Sequence, residues 1–250
     1  MWADGPAGVL YGNDTVVVID IEQRPSPSPY VAQVWRAHAR DEDVMTSVAS
    51  SAWELVVWDE GGRLLSRVRG PETRATTAPV PQDSRSFGIL FAHGVHMPQL
   101  PVAGLVDGET PPRPVTSAGL HLQGRLWPVP RFEAAEELVD AFVAAGVLRR
   151  DPLVAKVLDG GSPDVSPRTV QRRVAATTGL TLGMIRQIAR AREAALRLAH
   201  GTPVLEVVHE LGFYDQSHLA RSLGRFIGRT ATELAQGRHA RPLSMPFSPT

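Results

Sequence analysis

The 250-residue chain contains no cysteine, which excludes disulfides, thiolate chemistry and Cys-ligated zinc. It also has no stretch approaching about 18 apolar residues without a charge, so nothing reads as a membrane span. The opening "MWADGPAGVLYGNDTVVVID" carries acidic residues where a signal peptide needs basic ones, and it has no continuous apolar core. These features set the expectation of a cytoplasmic protein without a membrane partner. No nucleophile elbow, phosphate loop or zinc-hydrolase signature occurs. Asp215, Ser217 and His218 lie in one short run, but side chains at i, i+2 and i+3 of a helix cannot set Ser and Asp on opposite sides of an imidazole. No catalytic residue is assigned, and neither cofactor nor metal is expected.

Net charge is absent as well, with 26 basic and 26 acidic residues. That average hides an asymmetry. From Gly160 onward there are 12 arginines and 6 acids, a net of +6, while the preceding part carries 14 basic and 20 acidic residues, a net of −6. A basic end on an acidic body implies that the two parts meet different partners, or attract each other.

What is present in the first half reads as sheet. "TVVVIDI" (15–21), "YVAQVWRAHA" (30–39), "AWELVVW" (52–58), "RLLSRVR" (63–69) and "RSFGILFA" (85–92) are short and rich in β-branched or aromatic residues. "RPSPSP", "DEGG" and "PVPQD" separate them as turns, and "WDEGGRL" reads as a hairpin. The proline-rich section 98–130 is expected to be mainly loop against the sheet. From Arg131 the period changes: Phe132, Ala135, Leu138, Val139 and Phe142 make one helical stripe. "DPLVAKVL" starts another helix, with Asp151 as cap and Pro152 at the first position. After the break "DGGSPDVSP", helices are expected at 167–176, 182–199, 204–210 and 215–226. The expectation is an α+β chain: a small antiparallel β barrel or sandwich (1–130), linker helices (131–160), an all-helical domain (161–241) and a flexible tail (242–250).

"TPVLEVVHELGFYDQSHLARSLGRFIG" divides into helix, turn and helix. Gly212 suits the tight turn, Phe213 can plug the junction, and Asp215 can cap the second helix, whose apolar side is Leu219, Leu223 and Phe226. The other side offers Gln216, Ser217, Arg221, Ser222 and Arg225, the combination a major-groove helix needs: a first turn that reaches base edges, and arginines that read guanine or clamp phosphate. The blander account is a helical hairpin with a solvated basic face.

"GFYDQSHLARSLGRFIGRT" resembles the most diagnostic segment of the AraC/XylS family of transcription regulators, with Gly212, Phe213, Asp215, Gln216, Ser217, His218, Leu219, Arg221, Gly228 and Thr230 in register. "VSPRTVQRRVAATTGLTLGMIRQIARAREAALRL" is similar to the family's first recognition helix and connecting helix, through Ser166, Arg168, Arg172, Gly179, Arg190, Ala194 and Leu198. The chain departs from the pattern at Leu223, Gly224, Ala231 and Leu234. Ahead of "SPRT" only "LDGGSPDV" separates "DPLVAKV" from Ser166, so either that helix supports the first unit through an altered turn or the unit is truncated. The resemblance implies two helix-turn-helix units joined by a long helix. Arg168 and Gln171 of the first unit would then sample bases, and Arg172 would approach phosphate. The first half bears a fainter likeness to the β-rich sensor-like domain of one branch of the family.

Double-stranded DNA is therefore the expected partner, with RNA polymerase contact following from the regulator class. A small-molecule effector and a homodimer are further expectations for the N-terminal domain, which either senses a ligand or mediates assembly. Trp35, Trp53, Trp58 and Trp127 are the candidates for an effector pocket. Core packing is the cheaper account of them in a chain with 5 Trp, 3 Tyr and 7 Phe. His93 and His96 are read as structural or loop residues in preference to metal ligands. The alternatives are a regulator acting through protein contacts alone and, further off, a metal-dependent cupin-like enzyme.

Overall fold

The computed structural model describes residues 19–41, 43–237 and 243–244. The expected first strand at 15–21 and the expected tail at 242–250 therefore lie partly outside the described residues. Eleven strands come first: β1 (Ile19–Arg24), β2 (Val31–Ala39), β3 (Asp43–Ser47), β4 (Glu54–Glu60), β5 (Arg63–Arg69), β6 (Thr76–Val80), β7 (Arg85–Phe91), β8 (Val95–His96), β9 (Arg113–Thr116), β10 (Gly119–Leu122) and β11 (Arg125–Trp127). Eight of them form one antiparallel sheet in the order β1-β2-β7-β4-β5-β9-β10-β11. The sheet is open, with β1 and β11 at its edges, so the β part is not a closed barrel. The β4–β5 hairpin forms at "DEGG", as its glycines predict, with Glu60 opposite Arg63. The proline-rich section supplies β9, β10 and β11, which extend the sheet where loop was expected.

Alternation along the strands puts Leu55, Val57, Val68, Phe87, Ile89 and Phe91 in the core. Helix α1 (Ala135–Ala144) covers them with Leu138, Val139 and Phe142, all at most 2% exposed. Arg24 of β1 fastens this helix, donating to both oxygens of Glu136 at 2.7 Å. That pair of hydrogen bonds and the Ser26 hydroxyl pull the Glu136 carboxyl down to a pKa of about 2.

The chain then crosses β12 (Arg149–Arg150), paired with β8, into six further helices: α2 (Pro152–Leu158), α3 (Pro167–Thr178), α4 (Leu182–Ala199), α5 (Val204–Glu210), α6 (Gln216–Phe226) and α7 (Ala231–Gln236). These surround a second core in which Val170, Val174, Ile188, Leu198, Val207, Leu219 and Leu223 meet. Core membership sets the boundary: Leu148 belongs to the first core and Val154 to the second. Of the expected linker helices, α1 thus packs with the sheet and α2 with the helices.

The two units meet along a seam. Strand β3 is the middle of a small sheet, between β6 and β13 (Leu243–Ser244), and the residues after it, Val48 and Ala49, join the helical core. Two backbone N–H groups of the β unit, those of Ala49 and Ala75, donate to the last carbonyls of α6, Phe226 and Arg225, each at 2.8 Å. These are among the carbonyls that a helix end leaves without partners. Arg192 of α4 donates to the Ala49 carbonyl at 3.0 Å. Burial in the seam pushes its guanidinium down to about 10, offset in part by the Glu72 carboxylate. At Gly179, the C-cap of α3, a Cβ would come within 2.6 Å of the Ala103 backbone. Both α3 and α6 thus abut the β unit by their C-terminal ends.

Candidate nucleic-acid interface

The second helix-turn-helix is built as its sequence dictates. Gly212 adopts φ +67, the left-handed conformation that costs a side chain dearly and glycine little. Phe213 then turns inward, 6% exposed, and its N–H returns to the Val208 carbonyl at 2.9 Å. Arg190 of α4 closes over the Phe213 ring at 5.0 Å and donates to the Gly212 carbonyl, while the His218 ring meets Phe213 edge-on. His218 also accepts the Tyr214 N–H on Nδ1, so it fastens the turn. The Asp215 carboxylate accepts the His218 N–H at 2.6 Å and caps α6.

With Leu219, Leu223 and Phe226 in the core, the helical period leaves Gln216, Ser217, Arg221 and Arg225 exposed, and Ser222 half-buried at the margin. Arg225 lies over the Phe226 ring at 5.0 Å. In the first unit, Ser166 caps α3 by accepting the Thr169 N–H, and Pro167 takes the first helical position. Val170 and Val174 face the core, leaving Arg168, Gln171 and Arg172 exposed. Helix α2 supports α3: Asp151 caps α2 with one oxygen and holds Arg173 of α3 with the other, at 2.7 Å. The connection 159–166 is longer than 211–215 in the second unit, so the first unit has its supporting helix and an altered turn.

Nine arginines of the helical unit fall into two sets by their partners. Arg173 is held by Asp151, Arg197 by Glu193 and Glu210, Arg190 by the turn, and Arg192 by the seam. Arg168, Arg172, Arg186, Arg221 and Arg225 are exposed and form no ion pair with any described acid. The first set is structural, and the second leaves positive charge on the same elements whose polar faces are bare. Sequence reasoning missed Arg186, which stands off the Ile185–Ile188 stripe at the start of α4. It also missed Tyr214, 91% exposed beside the cap of α6. The position of Tyr214, between a plug and a cap, was the signal for it.

Residues 164–237 match the family of the helix-turn-helix domain, a match that begins just before α3 and ends at α7. This part of the chain is an AraC/XylS-type helix-turn-helix domain. The AraC-type domain makes the protein a DNA-binding transcription regulator. No curated protein and no solved structure matches the chain. No helix among the described residues is long and apolar enough to cross a membrane.

The β unit attached to the AraC-type domain distributes the four candidate tryptophans over both faces of its sheet. Trp53 stacks on Phe91 with ring centroids 4.0 Å apart and donates to the Val95 carbonyl, and Trp127 meets Phe142 edge-on; both are in the core. Trp35 and Trp58 are on the other face. Trp35 lies against Gly88, where a Cβ would come within 2.2 Å of the indole, and donates to Glu54 at 2.9 Å. Trp58 carries Arg67 over its ring at 4.2 Å. A groove of about 630 Å³, lined by Leu64, Pro114, Val115 and Val129 among others, touches none of the four. His93 sits where the units meet, 3.4 Å from the Ser51 hydroxyl and 3.9 Å from Asp159. Burial lowers its pKa, and both separations exceed the roughly 2.6–3.2 Å of a working relay. His96 turns back to the Gly94 carbonyl.

Proposed function

We propose that the protein recognises a specific double-stranded DNA site with α6 in one major-groove segment and α3 in the next on the same face of the duplex. The observation that carries this reading is the exposed set of unpaired arginines, which coincides with the bare polar faces of the two helices. Gln216, Ser217 and Arg221 reach base edges, Arg221 pairing with guanine, while Arg225 and Ser222 lie toward the phosphates. In α3, Arg168 and Gln171 sample bases and Arg172 contacts phosphate. The connecting helix α4 has 18 residues and so spans about 27 Å, on the scale of the roughly 34 Å between successive turns of the groove.

The β unit has a regulatory role in this reading. A small-molecule effector, or assembly into a homodimer, that displaced the segments after β3 and before β6 would act directly on the end of α6 through the Ala49 and Ala75 hydrogen bonds. The test is a footprint of the full chain on genomic fragments at rising salt. Two protected groove segments per protomer, with affinity falling steeply with salt, are expected. Protection of a single segment would remove α3 from the reading, and no retention at low salt would end it.

A further inference from the structure

The seam brings one cation of the acidic β unit to the edge of the reading helix. Because the Ala75 N–H donates to the Arg225 carbonyl at 2.8 Å, covalent geometry alone puts the Arg74 Cα within about 5 Å of that oxygen. Arg74 is exposed and makes no hydrogen bond or ion pair with the described residues. Its neighbours are all engaged. Thr73 is held by two hydrogen bonds to Asp107, each 2.6 Å. Glu72 is withdrawn into the seam, where burial raises its pKa and the Ser47 hydroxyl donates to it at 2.8 Å. Arg225, also without an acidic partner, stands on the other side of the Ala75 hydrogen bond.

Neither arginine has a carboxylate paired to it among the described residues, so each leaves an exposed, uncompensated positive charge at the margin of the seam. The backbone hydrogen bonds after β3 and before β6 fix the two chain segments that carry them side by side. We propose that Arg74 is a DNA-phosphate-binding residue, so that the protein's DNA surface runs off the end of α6 and across the seam onto the β unit. This rests on the reading of α6 as a recognition helix. Here the β unit serves as part of the reading head as well as its regulator.

The experiment measures binding of the full-length chain to its operator and to a scrambled duplex between about 50 and 200 mM salt. The chain is compared with Arg74→Ala, Arg74→Lys, Arg221→Ala and Arg63→Ala. Arg63 is an exposed cation at the far end of β5 from the seam and controls for loss of charge in general. Arg74→Ala is expected to weaken both duplexes about fivefold and to reduce the salt slope by about one, with Arg74→Lys close to the parent and Arg63→Ala unchanged. Thermal melts of Arg74→Ala should match the parent. If the parent binds, Arg221→Ala loses specificity and Arg74→Ala binds like the parent, the Arg74 assignment falls while the DNA reading stands. Equal losses for Arg63→Ala and Arg74→Ala would also overturn it, because they would reflect net charge alone. A parent chain that retains no DNA at low salt would overturn both.

Discussion

Arginine is used in two ways, as a strut at five places in or beside the sheet and as an unmatched cation on the exposed faces of α3, α6 and early α4. Five arginines in or beside β1, β2 and β5 are matched with carboxylates: Arg24 with Glu136, Arg36 with Glu22 at 2.6 Å, Arg40 with Asp20, Arg67 with Glu109, and Arg69 with Glu54. At Arg168 and Arg172 of α3, at Arg221 and Arg225 of α6 and at Arg186 near the start of α4 arginine stands unmatched. A matched guanidinium is a strut: its donors are committed, and its field is cancelled within a few ångströms. An unmatched one is costless to the fold only because it is solvated, and it remains available to a polyanion. The contrast shows that composition averaged over the chain, neutral here, says less about partners than the places where acids are withheld.

The comparison can be broken at individual residues. The largest expected effect is Arg221→Ala, an unmatched residue, which should cost about 1–3 kcal/mol of discrimination between operator and random duplex while leaving the melting temperature unchanged. Competition footprinting checks it, and equal losses on both duplexes would contradict the base-reading role. Arg24→Ala, a matched residue, should do the reverse. It removes a charge-assisted fork between β1 and α1 and should lower stability by about 1–2 kcal/mol, discounted for water at the rim, with DNA affinity unaltered. Urea melts followed by tryptophan emission would report it, because Trp127 touches α1 through Phe142.

The same fork should be visible in an acid titration. The folded Glu136 carboxyl has a pKa of about 2, below the 4.5 of an unperturbed glutamate. A depressed folded pKa means that the unfolded chain binds the proton more readily. The fork's contribution is therefore complete above 4.5 and disappears as pH falls toward about 2. In Glu136→Gln that acid-dependent part should be missing. The smallest effect belongs to Arg40→Ala. Its side chain is 65% exposed beside Asp20, so breaking that pair should change stability by less than about 1 kcal/mol.

Much of this organisation was written in periodicity. The helices α4 and α5 coincide with their expected bounds and α6 starts one residue later, because caps such as Asp215 and Thr181 and stripes such as Ile185–Ile188 are local signals. Strands β3 and β6 escaped notice: β6 carries Pro79, and neither has the alternation of a half-buried strand. Strands β9–β11 hid among prolines and run only three or four residues each. The polar face of α6 could be listed from sequence because it is defined by what is left over from the core. The seam could not. Its decisive bonds join the N–H groups of two alanines, Ala49 and Ala75, to main-chain carbonyls, and a backbone donor has no letter of its own. Nor could a string of residues reveal which arginines have acids beside them, since Arg24 and Glu136 lie 112 positions apart.

Anchoring both α3 and α6 by their C-terminal ends to one β unit has a bearing on the operator itself. Two reading heads on a flexible tether would tolerate variable spacing between the sequences they recognise, each finding its own half. Heads seated on a common base cannot adjust in that way. Each base pair inserted between the two recognised stretches moves one of them by about 3.4 Å along the duplex and about 35° around it, so a single insertion already carries its base edges off the helix meant to read them. The operator of this protein should therefore be a contiguous, asymmetric sequence of fixed length, intolerant of insertions at its centre.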